Sequence, residues 1–175
     1  QCTDKRVNIV TKELFKDYDS PEKMLTLSQS ELEEKIHSCG FYHNKAKNIL
    51  SMSKDLIKKF DGQVPQDLDK MQSLAGVGRK TANVVYSEAF KGDAIAVDTH
   101  VLRVSNRLGF VKTDNPYKCE LVLMKLFDKS KWGKLHLQLV HFGRYICKAI
   151  KPQCEKCPFT DMCTYYAMNN TKYTM

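Results

Sequence analysis

The chain has 175 residues, of which 42% are hydrophobic and 27% charged, and its formal net charge is +8 at pH 7. This composition is ordinary for a globular protein of one domain or two small lobes, and no apolar run approaches the ~20 residues of a membrane-spanning helix. The basic balance favours a polyanionic partner, although a lysine-rich face is more often simply solvated.

Capping residues predict a series of helices from the start of the chain. Asp4 is placed to cap the first helix, and Ser20-Pro21 combines a cap with a proline at the first helical position of the second. Ser28 to Glu31 has the form of a capping box that opens a third. A longer helix is predicted after it by an apolar stripe at helical spacing, which consists of Ala46, Ile49, Leu50, Ile57 and Phe60.

Helical patterns continue to the C-terminal part of the chain. Asp67 can cap a short helix that runs toward Leu74, and further helices are predicted at about 99–108, 116–127 and 135–146. No alternation of period two is long enough to indicate a sheet, so the predicted fold class is all-α. The sequence opens at Gln1 with a helix almost at once, and we expect a fragment that lacks upstream residues.

A glycine turn between two helices is the most informative segment. Leu74-Ala75-Gly76-Val77-Gly78-Arg79-Lys80 places two glycines before a helix start, where backbone N–H groups and the helix dipole favour an anion. Such a turn can hold a DNA phosphate without reading sequence. Taken alone, two glycines in this arrangement more often form a plain helix–turn–helix connection with a glycine cap. Lys80 is a phosphate contact, a nucleophile when neutral, or a solvated charge.

Asp98 is the second candidate of this kind. It follows the apolar run Ala94 to Val97 and precedes a helix, in Val97-Asp98-Thr99-His100. The simple interpretation is a helix N-cap. A capping carboxylate is rigidly held, however, and can also face a cleft and take part in chemistry.

Four of the seven cysteines are crowded near the C-terminus with the spacing x6, x2 and x5, namely Cys147, Cys154, Cys157 and Cys163. Four thiolates this close can hold zinc or a [4Fe–4S] cluster, and spacing alone leaves both open. The other three cysteines, Cys2, Cys39 and Cys119, lie outside this pattern and are expected to be ordinary buried thiols.

Together, the segment from Leu74 to Val85, the Val-Asp-Thr-His stretch and the four-cysteine tail resemble the endonuclease III family of helix-hairpin-helix DNA glycosylases. The resemblance runs from Gln1 to about Met168. It implies a two-lobed all-α fold with a C-terminal [4Fe–4S] cluster loop. One departure is visible, because the hairpin usually reads Leu-Pro-Gly and here reads Leu74-Ala75-Gly76.

The resemblance also implies the activity. A damaged, oxidised pyrimidine is flipped out of duplex DNA, Lys80 attacks the sugar carbon, and β-elimination through a Schiff base cuts the strand. Asp98 stabilises the cationic transition state or assists deprotonation. Burial and Arg79 are expected to favour the neutral lysine, with Asp98 near but not tightly paired. The implied metal ligands are the four clustered cysteines, and the resemblance implies that Gln1 and Phe41 enter the duplex where the base leaves, although Phe41 packing inward is an equal alternative. The glycine turn adds Gly76, Gly78 and Arg79 as candidate DNA contacts. Lys148 is a further candidate, because a loop clamped by a cluster can present a lysine either to a phosphate or to solvent.

The expected organisation is an N-terminal helix at 1–15, a helical bundle at 16–112 with the hairpin at about 67–90, and C-terminal helices with the cluster loop at 113–175. The expected partner is double-stranded DNA carrying a damaged base or an abasic site, bound by a monomer, with no membrane. Two alternatives remain. One is a monofunctional glycosylase, which would lack a lysine like Lys80, and the other is a non-catalytic DNA-binding module with a structural metal.

Overall fold

A computed structural model describes residues 2–170, and all regular elements in this range are helical. Ten α-helices follow one another in the described part of the chain, with three short 3-10 turns at 129–131, 154–156 and 160–162. Their bounds are α1 Asp4–Asp17, α2 Pro21–Met24, α3 Gln29–Ile36, α4 Tyr42–Phe60, α5 Leu68–Gln72, α6 Arg79–Ala89, α7 Thr99–Leu108, α8 Pro116–Leu126, α9 Trp132–Tyr145 and α10 Thr164–Asn170. The all-α prediction is confirmed.

Most of the predicted helix starts are confirmed by side-chain caps. Ser20 caps α2, and Asp67 caps α5. The capping box of α3 is complete, because Ser28 and Glu31 each accept from the other's backbone N–H. The prediction for α1 was wrong by one residue, since the Thr3 hydroxyl accepts from Arg6 N and Asp4 is the first helical residue.

The chain divides into two compact units at Gly78 and Arg79, inside the glycine turn. We call residues up to Gly78 the N-terminal unit and residues from Arg79 the C-terminal unit. The sequence-based division at 112 and 113 stays a prediction.

The N-terminal unit contains helices α1 to α5 around one apolar core. Its buried members come from α1 through α4 and the loop before α3, namely Leu14, Met24, Leu27, Leu32, Ile36 and Ala46. Leu32 and Ala46 are fully buried where α3 packs on α4. Hydrophobic burial on the inner faces of short helices is therefore what fixes this unit.

The C-terminal unit is built on a second apolar core, and α7 packs on α9 in its most extensive helix contact. The core includes Ile95, Val97, Val101, Val104, Cys119, Leu123, Leu139, Val140 and Cys147. The close approach of the two helices depends on Gly143 in α9, where an added Cβ would lie 3.0 Å from the Cβ of His100. This unit carries Lys80, Asp98 and all four clustered cysteines.

Candidate active site

The glycine turn begins with a tight backbone reversal in the N-terminal unit. Val77 N donates to Leu74 O over 3.1 Å, and Gly76 at the third position has a φ of +77°. A type II turn requires this positive φ, which glycine adopts without strain. Gly76 also lies against Asn48, whose side chain would be 3.0 Å from an added Cβ. The fold itself therefore explains the glycine at this position.

Gly78 is different, because nothing in its own surroundings requires a glycine. Its φ is not in the left-handed region, and an added Cβ would meet no atom of the described residues within 4 Å. The residue is exposed and immediately precedes the first turn of α6. The missing side chain leaves open surface beside a helix start, where N–H groups favour an anion.

Lys80 lies in the first turn of α6 and is exposed. The expectation that the protein buries this amine was wrong.

The neighbouring Arg79 forms a bidentate pair with Glu120 of α8, with Arg79 Nη2 2.7 Å from Oε1 and Nε 2.9 Å from Oε2. The Glu120 side chain is only 6% exposed, and the guanidinium also stacks on Tyr117 at 4.6 Å. Bidentate geometry of this kind fixes orientation, so Arg79 anchors the start of α6.

Asp98 is the N-cap of α7, as the sequence predicted. Its Oδ1 accepts from the backbone N–H groups of His100 and Val101, both at 2.8 Å. Both bonds use the same oxygen, so the second carboxylate oxygen is not needed for the cap. No ion pair within 4.0 Å joins Asp98 to Lys80 among the residues described, in agreement with the expected loose relation.

Two buried polar residues near these side chains were not predicted from the sequence. Asn83, one turn after Lys80 in α6, is 2% exposed, and His136 in α9 is 6% exposed. Burial lowers the pKa of His136, while a hydrogen bond to the Ala96 backbone and the charge of Asp98 act in the opposite direction. The charge of Lys80 also lowers this pKa, so Lys80 and Asp98 both act on the same buried ring.

The candidate DNA contacts outside the glycine turn have different surroundings. Phe41 is 64% exposed at the start of α4, in the left-handed conformation with a φ of +57°. Lys45 bonds to the Gly40 carbonyl and lies over the Phe41 ring at 6.0 Å from its centroid. Lys148 has an exposed side chain, and its backbone carbonyl accepts from Arg107 over 2.6 Å. The Gln1 prediction lies outside the described residues.

The four clustered cysteines line one cavity of the C-terminal unit. Cys147 follows α9, Cys154 begins a 3-10 turn, Cys157 ends it, and Cys163 precedes α10. The other walls of this cavity include Leu108, Phe142, Ile146, Pro152, Tyr165 and Tyr166. Four thiols around an apolar cavity provide a donor set suited to an iron–sulfur cluster.

A single zinc ion would fit these thiols less well. At the usual Zn–S distance of about 2.3 Å, the four sulfurs would have to converge on one point. Within the described residues, no three His, Cys, Asp or Glu side chains are grouped so that they could hold one metal ion. The thiols surround a volume instead, and a cluster of several metal ions fills such a volume.

The surroundings of the thiols act on thiolate charge in opposite directions. Arg107 Nη1 lies 3.5 Å from Cys147 Sγ and can donate to it. Burial raises the pKa of Cys154, and the charges of Cys157, Cys147 and Cys163 raise it further. Four adjacent thiolates therefore need a cationic group between them, since metal binding requires deprotonated sulfur. Outside this set, Cys39 and Cys119 are buried, as expected, whereas Cys2 is partly exposed.

No helix in the described range is long and apolar enough to cross a membrane.

Comparison with protein-family models gives two matches that together extend along most of the chain. Residues 1–129 match the HhH-GPD superfamily of base excision DNA repair proteins. Residues 147–163, which begin and end at the first and last clustered cysteines, match the iron-sulfur binding domain of endonuclease III.

Individual relatives agree with these matches. The chain is 51% identical over 164 residues to endonuclease III of Bacillus subtilis, covering 93% of this chain and 75% of the relative. It is 42% identical over 163 residues to endonuclease III of Thermotoga maritima, with 93% and 76% covered. A solved structure of a trapped endonuclease III–DNA covalent intermediate superimposes with a TM-score of 0.94 at 48% identity, covering 97% of this chain and 80% of that chain. A thermostable thymine-DNA glycosylase superimposes with a TM-score of 0.85 at 28% identity, covering 95% and 79%.

Proposed function

Because this chain belongs to the endonuclease III family of base-excision repair enzymes, we propose that Lys80 and Asp98 perform its glycosylase and lyase reactions. The family activity is the removal of oxidised pyrimidines from DNA, followed by strand cleavage as an AP lyase. The observation that carries the residue assignment is an exposed Lys80 in the first turn of α6, two residues after the open Gly78. The rigid hold on Asp98 as the N-cap of α7 supports its role, and the charges of Lys80 and Asp98 both act on the pKa of the buried His136.

The reaction needs a neutral amine and a flipped nucleotide. The sugar carbon that bears the base is unreachable inside the duplex, so the nucleotide must leave the stack. The Lys80 nitrogen then forms a bond to this carbon, and the bond between the carbon and the base breaks with its electron pair going to the base. Loss of the amine proton and opening of the sugar give an imine.

Strand cleavage follows from the same imine. A proton leaves the adjacent sugar carbon, and the bond to the 3′ phosphate oxygen breaks with its electrons going to the phosphate. Hydrolysis of the imine then releases Lys80. Asp98 stabilises positive charge that develops on the sugar as the base leaves, because a fixed carboxylate requires little reorganisation during the step.

The substrate must displace the water that surrounds the Lys80 amine. The amine is exposed in the free protein, and burial in a low-dielectric site is what disfavours a charged ammonium. Duplex DNA seated over α6 covers the side chain and excludes water from it. In this way the nucleophile becomes active only where a substrate is present.

A monofunctional glycosylase is the second candidate, and Lys80 distinguishes between the two. An enzyme of that type activates water and forms no bond to the sugar. A lysine in the first turn of α6, beside an open glycine, is suited to attack the sugar instead.

Incubation of the wild-type protein with duplex DNA that contains an oxidised pyrimidine, in the presence of borohydride, should give a covalent protein–DNA adduct. Base release without any adduct would favour the monofunctional candidate.

The proposed partner is duplex DNA with a damaged base or an abasic site, bound by one chain. The Gly76 to Gly78 turn and the α6 start hold a phosphate, Phe41 enters the stack where the nucleotide leaves, and Lys148 contacts the backbone. The prediction that Arg79 also touches DNA stays a prediction, since Glu120 already orients its guanidinium.

We expect Gly78→Val to weaken binding to undamaged duplex without unfolding the protein. An added Cβ here meets no atom of the described residues within 4 Å, so the side chain is expected to obstruct an approaching phosphate more than it disturbs the fold. Affinity measured at several salt concentrations should also show a shallower salt dependence, because fewer counterions are released.

Gly76→Val is the matched comparison within the same turn. It should lower the melting temperature, because the positive φ and the contact with Asn48 both oppose a side chain. Unchanged affinity and salt dependence in folded Gly78→Val protein would exclude a phosphate at this glycine.

The cofactor of the family is a [4Fe–4S] cluster, and we propose Cys147, Cys154, Cys157 and Cys163 as its four ligands. Base removal and lyase chemistry involve no net oxidation or reduction, so the proposed role of the cluster is to stabilise the loop from Cys147 to Cys163.

Protein purified anaerobically should be yellow-brown and contain about four iron and four sulfide per chain. Cys163→Ser should lower both contents, whereas Cys119→Ser should leave them unchanged. Stoichiometric zinc in iron-replete protein would contradict the assignment.

A further inference from the structure

The segment that leads to Asp98 is buried but belongs to no helix or strand. Ala94, Ile95, Ala96 and Val97 are each at most 6% exposed, and the segment has no regular secondary structure. Its carbonyl groups therefore have no ladder of backbone partners, although buried carbonyls need hydrogen bonds. Side chains must supply these bonds, and whichever residues do so also determine the position of Asp98.

The first of these donors comes from α6, the helix that begins beside Lys80. Asn83 Nδ2 donates to the carbonyl of Ile95 over 2.9 Å. Asn83 is 2% exposed, so its amide is not available to water. Lys80 and Asn83 are three residues apart in the same helix and lie on neighbouring turns of one face. This bond ties the Asp98 segment to the helix of the nucleophile.

The second donor comes from α9. The carbonyl of the next residue, Ala96, forms a hydrogen bond with His136. The Nδ1 atom of the ring is buried without a hydrogen-bond partner in the described part of the protein, so the donor is Nε2. Burial lowers the pKa of His136 below its ordinary value. The Nε2–H group of the imidazole is the donor, and the Ala96 carbonyl oxygen is its acceptor.

Two glycines of α9 place His136 between the helices that carry Lys80 and Asp98. A Cβ at Gly133 would lie 2.7 Å from Ser87 Oγ of α6, and a Cβ at Gly143 would lie 3.0 Å from the Cβ of His100 in α7. His136 follows Gly133 by three residues and precedes Gly143 by seven, so all three share one face of α9. The ring therefore lies in the middle of the face that contacts both catalytic helices.

We propose that Asn83 and His136 are positioning residues which hold the carbonyls of Ile95 and Ala96 and thereby set the place of Asp98 relative to Lys80. The inference rests on the proposed roles of Lys80 and Asp98. Neither Asn83 nor His136 touches DNA, since both side chains are buried. They act on base release, which needs Asp98, and not on the attack of Lys80 on a sugar that has already lost its base.

The test compares two reactions in the same variants. His136→Phe fills the space of the ring without an N–H donor, whereas His136→Gln retains one. Asn83→Leu removes the other donor at similar volume. Single-turnover release of an oxidised pyrimidine should fall about tenfold or more in His136→Phe and Asn83→Leu, because small displacements of catalytic groups are costly. Borohydride trapping on a preformed abasic site and affinity for DNA should stay near wild type, and His136→Gln should recover part of the rate.

Matched controls separate positioning from loss of structure. His141→Phe changes an exposed histidine of the same helix and should leave base release unchanged. Each variant is checked by circular dichroism and by its iron content. If His136→Phe does not fold, the base-release rates of Asn83→Leu and His136→Gln test the proposal instead. The proposal is overturned if base release is unchanged in a folded donor-less variant, or if release, trapping and affinity fall together without rescue by glutamine. Failure of the proposed function is a separate outcome, because wild-type protein would then neither release the base nor become trapped.

Discussion

Replacing Lys80 with glutamine should abolish covalent trapping on duplex DNA while leaving DNA affinity largely intact. Borohydride reduces an imine to a stable amine, and only a primary amine at the sugar can form that imine. The glycines and helix start that are proposed to hold the phosphate are unchanged in this variant. Strand cleavage at an abasic site should fall to the uncatalysed level, and both results can be read from one denaturing gel.

A second lysine provides the control for this experiment. Lys129 is exposed in a short 3-10 turn and forms no ion pair in the described part of the protein. Lys129→Gln changes the net charge by the same amount, so it corrects for a general loss of attraction to DNA. If Lys80→Gln is trapped as efficiently as Lys129→Gln, the nucleophile is another residue.

Asp98→Asn should slow the release of an oxidised pyrimidine by about a hundredfold or more, the scale on which fixed charges stabilise transition states. Asparagine is as good an N-cap as aspartate, so the two bonds to His100 and Val101 can persist and α7 should stay intact. The substitution therefore removes the charge without removing the cap. Asp98→Ala would change both, and its loss of the cap alone would destabilise the protein by about 1 kcal/mol.

Trapping on a preformed abasic site distinguishes the two roles of this carboxylate. No base has to leave such a site, so Asp98→Asn should still form the borohydride adduct. Asp93→Asn removes an exposed carboxylate five residues earlier and should affect neither reaction. Equal rates of base release in Asp98→Asn and Asp93→Asn would restrict Asp98 to a structural cap.

The sequence was informative where the chemistry depends on local patterns. Cap residues define where helices begin because they bond to N–H groups two or three positions away, and α7 begins where Asp98 predicted. The glycine turn and the cysteine spacing are equally local. Lys80, Asp98 and the cysteine loop could therefore be chosen as candidates without any knowledge of packing.

The supporting residues could not be found in this way, because their partners are distant in the sequence. Arg79 pairs with Glu120, 41 residues later, and Asn83 bonds to the backbone of Ile95, which has no sequence signature of its own. In the sequence alone, His136 is an ordinary histidine on an apolar helix face, and only the packing of the neighbouring helices distinguishes it. The exposure of Lys80 was also missed, since the motif indicates a nucleophile but not whether protein or DNA covers it.

The backbone at Phe41 has a consequence for how quickly damage can be found. A left-handed φ at a residue with a bulky side chain destabilises the free protein by about 1–2 kcal/mol. In return, the ring is already presented to solvent, with Lys45 bonded to the preceding carbonyl, before any DNA arrives. The proposed insertion of this ring into the base stack would then lose little conformational entropy, because the binding surface is preorganised. If Phe41 has the proposed role, we expect the rate of lesion interrogation to depend on how easily the damaged pair opens, and not on rearrangement of the loop that carries the ring.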